Sequence, residues 1–176
     1  IWQRCDSAPE SYVPPPALPP LGYVPPKDIP PGFEPEGGPE GYGNLTLEKW
    51  AKPFFCLDGG ADWLCRYTIR VENTGTLPYW GPVVIDDHLP AGNPGAGMSF
   101  WPQPPWSCSP TGPVAYQCVT GPVLLYPGDG VVLHEVVKLP KALVDYCSIA
   151  NVAGLNWGWG GDADPSDDFG VGVAGI

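Results

Sequence analysis

Cysteine is the residue type with the most specific chemistry in this chain. Its 176 residues include six cysteines and two histidines. There is no CxxC pair and no histidine cluster to complete the tetrahedral set that zinc requires, so disulfides are expected rather than a metal centre. Cys56 and Cys65 flank a Gly-Gly turn, and Cys108 and Cys118 flank Pro-Thr-Gly-Pro. Each pair is spaced to staple the two arms of a hairpin. Cys5 and Cys147 are left over, to be bridged within the chain or between chains. Such cysteine usage belongs to an oxidising compartment and predicts a secreted or cell-surface protein.

The remaining candidates are weaker. Asp162, Asp164, Asp167 and Asp168 share one acidic segment that could offer oxygens to Ca2+, but it lacks the spacing and the terminal Glu of an EF-hand. A solvated acidic turn is the plainer reading, and no cofactor is expected. Asp86-Asp87, at a strand end, reads as a turn-capping pair, because a catalytic acid pair needs a partner across a cleft and the sequence names none. His134 falls at a polar position of an alternating run and is expected at the surface. Ser107 and Ser109 lack a Gly-x-Ser-x-Gly context. No catalytic residue stands out, and the chain is not expected to be an enzyme.

Tryptophan is the richer signal. Trp106, beside Cys108, is expected in the core. Trp101, Trp157 and Trp159 lie in Gly- and Pro-rich segments, and Trp157 and Trp159 alternate with glycines so that both face one way. Exposed aromatics of this kind can stack on sugar rings or on a partner's apolar surface.

These side chains need elements to hold them. The stretch 64–73 alternates, with Cys65, Tyr67, Ile69 and Val71 on one side and Arg66, Thr68, Arg70 and Glu72 on the other, followed by Asn73-Thr74-Gly75. That is a half-buried strand ending in a turn. Further strands are expected at 45–49, 82–88, 105–109, 114–119, 131–139, 146–155 and 169–173, with Val83, Ile85, Val132, Val136, Ile149 and Val152 in the core. With 26 Pro and 24 Gly, helix is disfavoured almost throughout. Seven or eight short strands without a helical crossover predict an antiparallel sandwich with Greek-key connections over residues 44–176.

Residues 1–43 are a different material. Twelve of the 26 prolines fall there, and runs of proline favour extended polyproline II. Tyr12-Val13-Pro14-Pro15 returns as Tyr23-Val24-Pro25-Pro26, and a glycine precedes Tyr23, Phe33 and Tyr42. This segment is either a stiff spacer or an interaction arm whose spaced aromatics, with Trp2, lie along a neighbouring subunit. Only residues 1–7 are suited to pairing in a sheet, since proline cannot donate to a ladder. The net charge of -11, with eight basic residues against nineteen acidic ones, argues against nucleic acid. No apolar run approaches the roughly 20 residues needed to span a bilayer. No N-terminal stretch has the apolar segment of a signal peptide, so an exported protein would be in its mature form.

In order along the chain, Leu47-Glu48-Lys49 with Ala51-Lys52-Pro53, Cys56, Cys65, Tyr67-Thr68-Ile69, Asn73-Thr74-Gly75, Gly81-Pro82, Asp86, Leu89-Pro90-Ala91-Gly92, Trp106-Ser107-Cys108, Cys118, Pro127-Gly128 and Asn151-Val152-Ala153 ahead of Asp162–Asp168 resemble the bacterial repeat domain DUF11. The resemblance covers roughly residues 45–174. It implies an immunoglobulin-like β-sandwich of surface and secreted proteins, usually in tandem copies, and no catalysis. Trp50 and Asp167-Asp168 depart from the pattern, and there is a single copy. One module with a proline-rich arm points to assembly or binding. The expectation is therefore a structural subunit of an extracellular filament or layer, a homopolymer whose partners are other copies of itself. The alternative is an adhesion or carbohydrate-binding module that uses Trp101, Trp157 and Trp159 on cell-surface glycans.

Overall fold

The computed structural model describes residues 2–4, 44–89, 97–100, 104–143, 146–156 and 168–176. These form an all-β body with one short 3₁₀ turn at Lys141–Leu143. In chain order the strands are β1 (Trp2–Arg4), β2 (Leu45–Ala51), β3 (Leu57–Asp58), β4 (Asp62–Asn73), β5 (Tyr79–Gly81), β6 (Val84–His88), β7 (Gly97–Phe100), β8 (Trp106–Gly112), β9 (Ala115–Thr120), β10 (Val123–Leu125), β11 (Gly130–Pro140), β12 (Tyr146–Leu155) and β13 (Phe169–Gly175). Every ladder between them is antiparallel.

One sheet runs β2-β4-β11-β7, with β3 also on β4. The other runs β13-β12-β6-β9-β8, and β5 pairs with β10 in a short ribbon. β4 lies between β2 and β11 and presents Cys65, Tyr67, Ile69 and Val71 to the interior, each almost fully buried. It ends as its sequence predicts. Asn73 is buried where the chain reverses: its Nδ2 donates to the carbonyls of Leu77 and Leu125, and its Oδ1 accepts from the Gly75 amide. Leu47, Ile69 and Leu133 of the first sheet pack in one apolar cluster with Ile85, Trp106, Cys118 and Ala153 of the second, which makes the body a two-layer sandwich. Trp106 belongs to that core and donates its indole N–H to the Val132 carbonyl at 2.8 Å. Disulfides join Cys56 to Cys65 and Cys108 to Cys118.

Three expectations need correction. Val132 is exposed and Val136 only half-buried, because β11 turns Leu133, Glu135, Val137 and Leu139 inward instead. The outward face mixes Val132 and Val136 with His134 and Lys138, and the inward face mixes Glu135 with leucines and valines, so the expectation puts the two outward valines on the wrong side. Asp86-Asp87 is no turn cap: both residues lie within β6, and Asp87 is buried. Asp168 is likewise buried at 2 % exposure rather than solvated, while Asp162, Asp164 and Asp167 lie outside the described residues. Strands β3, β5, β7 and β10 were not anticipated, being two to four residues long. Within the N-terminal segment, Trp2–Arg4 pairs with β12 opposite Tyr146, Ser148 and Ile149. It extends the edge of β12 that β6 occupies farther along, at Val152–Leu155.

Candidate functional site

The interior-facing positions of four strands each carry one polar residue where the alternation calls for an apolar one. Leu45, Leu47, Lys49 and Ala51 point inward from β2; Leu133, Glu135 and Val137 from β11; Ile85 and Asp87 from β6; Ile149, Asn151 and Ala153 from β12. The four polar side chains converge between the sheets. Lys49 Nζ donates to Asp87 Oδ2 and to Glu135 Oε2, the latter at 2.9 Å. Asn151 Nδ2 donates to the other oxygen of Glu135, Oε1, at 2.5 Å. The side chains of Lys49, Asp87 and Glu135 have no exposed surface. Asp87 Oδ1 and Asn151 Oδ1 have no hydrogen-bond partner among the described residues.

The walls of the site are built to exclude water. The Tyr67 ring centroid lies 5.4 Å from Lys49 Nζ, and its hydroxyl donates to the Ile149 carbonyl at 3.1 Å. Burial, then the carboxyl groups of Glu135 and Asp87, raise the Tyr67 phenol, which stays protonated. β13 covers the opposite side through Gly170 and Gly172. A Cβ at Gly170 would meet the Lys49 backbone nitrogen at 2.7 Å, and one at Gly172 would meet the Tyr67 ring at 2.6 Å. Only glycine lets β13 approach this closely.

A buried ammonium facing two carboxyl groups is an unbalanced set of charges, and burying an unpaired charge is expensive. Burial, reinforced by the neighbouring Asp87, pushes Glu135 up to about 8 from an ordinary 4.5, and the Lys49 contact offsets this only in part. Glu135 is thus mostly protonated at neutral pH, leaving Lys49 and Asp87 as the opposed pair. The adjacent Asp86 has an unremarkable role by comparison, accepting from Gln117 Nε2 and Asn156 Nδ2 on the other face of β6.

None of the partner-binding candidates read from the sequence falls in this cluster. Tyr12, Tyr23, Phe33, Tyr42, Trp101, Trp157 and Trp159 lie outside the described residues, as does Cys5; Trp2 and Cys147 sit in β1 and β12, with only their backbone described. Among the described residues no group of three or more His, Cys, Asp or Glu could hold a metal ion, and no helix is long and apolar enough to cross a membrane. The cluster itself was missed. Its signal was there as polar residues at inward positions of apolar strands, visible only once the inward face of each strand is known.

No protein-family model matches the chain, and neither does any curated protein. Among solved structures it is similar to CBM3b of the major scaffoldin subunit ScaA from Acetivibrio cellulolyticus, with 14% identity over 65% of this chain and 95% of that one and a TM-score of 0.38. It is also similar to the carbohydrate-binding module CBM3b of the cellulosomal cellobiohydrolase 9A from Clostridium thermocellum, with 13% identity over 66% and 97% and a TM-score of 0.35. A third similar structure is AvmM, which catalyses macrocyclization in alchivemycin A biosynthesis, with 12% identity over 78% and 91% and a TM-score of 0.38.

Proposed function

We propose that the chain is a structural subunit of an extracellular or cell-surface assembly, with the β-sandwich as its body, a DUF11-like module, and other copies of itself as its partners. The observation that carries this reading is the outer face of β13. Phe169, Val171 and Val173 point outward from that strand and are 42%, 37% and 53% exposed, while the alternating Gly170 and Gly172 face the core. β13 is the last strand of its sheet, and residues 169–176 contain no charged residue and no proline. Soluble sheet edges ordinarily carry such residues to prevent strand-to-strand association, and contiguous exposed apolar surface marks a contact face. Phe54 and Phe55, both well exposed, extend the apolar surface beside the end of β13, where Phe55 bridges Gly175. The two hairpin disulfides fit an oxidising environment outside the cell. In this reading the N-terminal arm contacts the next subunit.

The test is the double substitution Val171→Lys/Val173→Lys, which changes only outward-facing side chains. The parent chain is expected to form higher assemblies in sedimentation velocity and electron microscopy, and the double variant to remain monomeric with an unchanged circular dichroism spectrum. A parent chain that stays monomeric at every concentration would sink the reading.

A further inference from the structure

The cluster between the sheets holds the parts of a condensation reaction. An amine touches both a carboxyl group and a third group able to carry protons, and all three are sealed from solvent. We propose that Lys49 Nζ and Asp87 Cγ become joined in an intramolecular amide bond, formed by the chain itself, which ties β2 of one sheet covalently to β6 of the other.

The geometry assigns each residue a part. Lys49 Nζ is already against the Asp87 carboxyl through Oδ2, and Asp87 Oδ1 has no hydrogen bond among the described residues to hold it back. Transfer of a proton from the ammonium to the carboxylate gives the neutral amine and the neutral acid, the reactive forms, and a dry interior favours that exchange over two separate charges. The amine nitrogen then attacks Cγ. Glu135, protonated at the outset, gives its proton to the Asp87 hydroxyl, which departs as water, and its Oε2, 2.9 Å from the nitrogen, takes up the proton the nitrogen sheds. The C–N bond forms, the C–O bond breaks, Glu135 ends as it began, and one water is released; no oxidant or external reactant enters. Glu135 is held for this by Asn151, whose Nδ2 occupies the oxygen turned away from Lys49.

Two physical terms drive the step. Reacting groups held in contact behave as if at an effective concentration of about 10^5–10^8 M, which offsets the unfavourable equilibrium of amide formation in water. The product also removes a buried ammonium and a buried carboxylate together, and so ends the desolvation cost that an ion pair at this depth carries. Tyr67 and the close-packed β13 glycines keep out the water that would reverse the reaction. Asn151 is the other conceivable acyl donor, with ammonia as leaving group. Its amide nitrogen bonds to Glu135 rather than facing the lysine, which marks it as a positioning residue.

The experiment is intact-mass spectrometry of the purified chain after full reduction of its disulfides, followed by protease digestion. The expected result is a parent chain lighter than its sequence by one water, with a branched peptide joining Lys49 to Asp87. Glu135→Gln and Lys49→Arg are expected at full sequence mass, and Asp87→Asn, if it reacts, lighter than its own sequence by one ammonia. Folding of each variant is followed by the formation of its disulfides and by near-ultraviolet circular dichroism. A parent chain at full sequence mass overturns the proposal whatever the variants do. A loss of ammonia from the parent with a branch at Asn151 overturns the assignment to Asp87. The mass is read on denatured single chains, so the outcome is independent of whether the protein assembles.

Discussion

Glu135 is where the electrostatics of the molecule are decided. A carboxyl group whose ionisation is pushed up by burial binds its proton more tightly folded than unfolded. Between about 4.5 and about 8 the native state therefore holds more protons than the unfolded state, and stability falls as pH rises through that window. At the upper end the loss is on the order of 4 kcal/mol. Burial is the largest cause and acts whether or not Lys49 and Asp87 have condensed, so the direction is the same in either state. Thermal melts from pH 5 to 8 should show the melting temperature dropping as pH increases, and Glu135→Gln, which cannot ionise, should lose most of that slope. Equal slopes in parent and variant would mean that Glu135 is already ionised in the folded protein.

At the scale of elements, β13 is shaped by what it covers. Its Gly-Val-Gly-Val sequence gives a smooth inner face against β2 and Tyr67, and an apolar outer one. Gly170→Ala would drive a methyl group to within 2.7 Å of the Lys49 backbone nitrogen, an overpacked contact that should cost about 1–3 kcal/mol. Gly121→Ala, at a position with nothing within 4 Å, serves as the control and should be close to neutral; the two urea midpoints decide the comparison. β4 was legible in the sequence because its two faces differ so sharply, Cys65, Tyr67, Ile69 and Val71 against Arg66, Thr68, Arg70 and Glu72. β11 was not, since Val132 and Val136 on one face compete with Leu133 and Val137 on the other. The inward face gathers Val131, Leu133, Val137 and Leu139, and Glu135 is accommodated among them by Lys49 and Asn151 from distant strands. No local pattern carries that information. β7 and β10 were hidden for a simpler reason: a strand of three or four residues has too few alternations to read.

Across the whole molecule, the two described disulfides do different work from the buried cluster. Cys56–Cys65 ties β4 to the segment just before β3, where Phe55 bridges Gly175 of β13 and the Cys56 amide donates to the Gly175 carbonyl, whereas Cys108–Cys118 ties β8 to β9 within one sheet. The interface between the sheets is bridged by apolar packing and by the buried contacts of Lys49 with Asp87, Asn151 with Glu135 and the Tyr67 hydroxyl with the Ile149 carbonyl. Each disulfide closes a short loop, with separations of 9 and 10 residues, and removing either should cost about 2–3 kcal/mol in the chain-entropy picture. Cys65 packs in one core cluster with Leu139 and Ile149, and Cys118 in the other with Ile85 and Leu133. Sites without shared neighbours behave additively to within about 0.5 kcal/mol. Replacing both cysteines of one pair by serine, then of the other, then of both, should therefore give losses that sum in chemical denaturation. A coupling well beyond that margin would show that the staples share one strained element, and would shift the burden of holding the sandwich together from the interface to the sheets themselves.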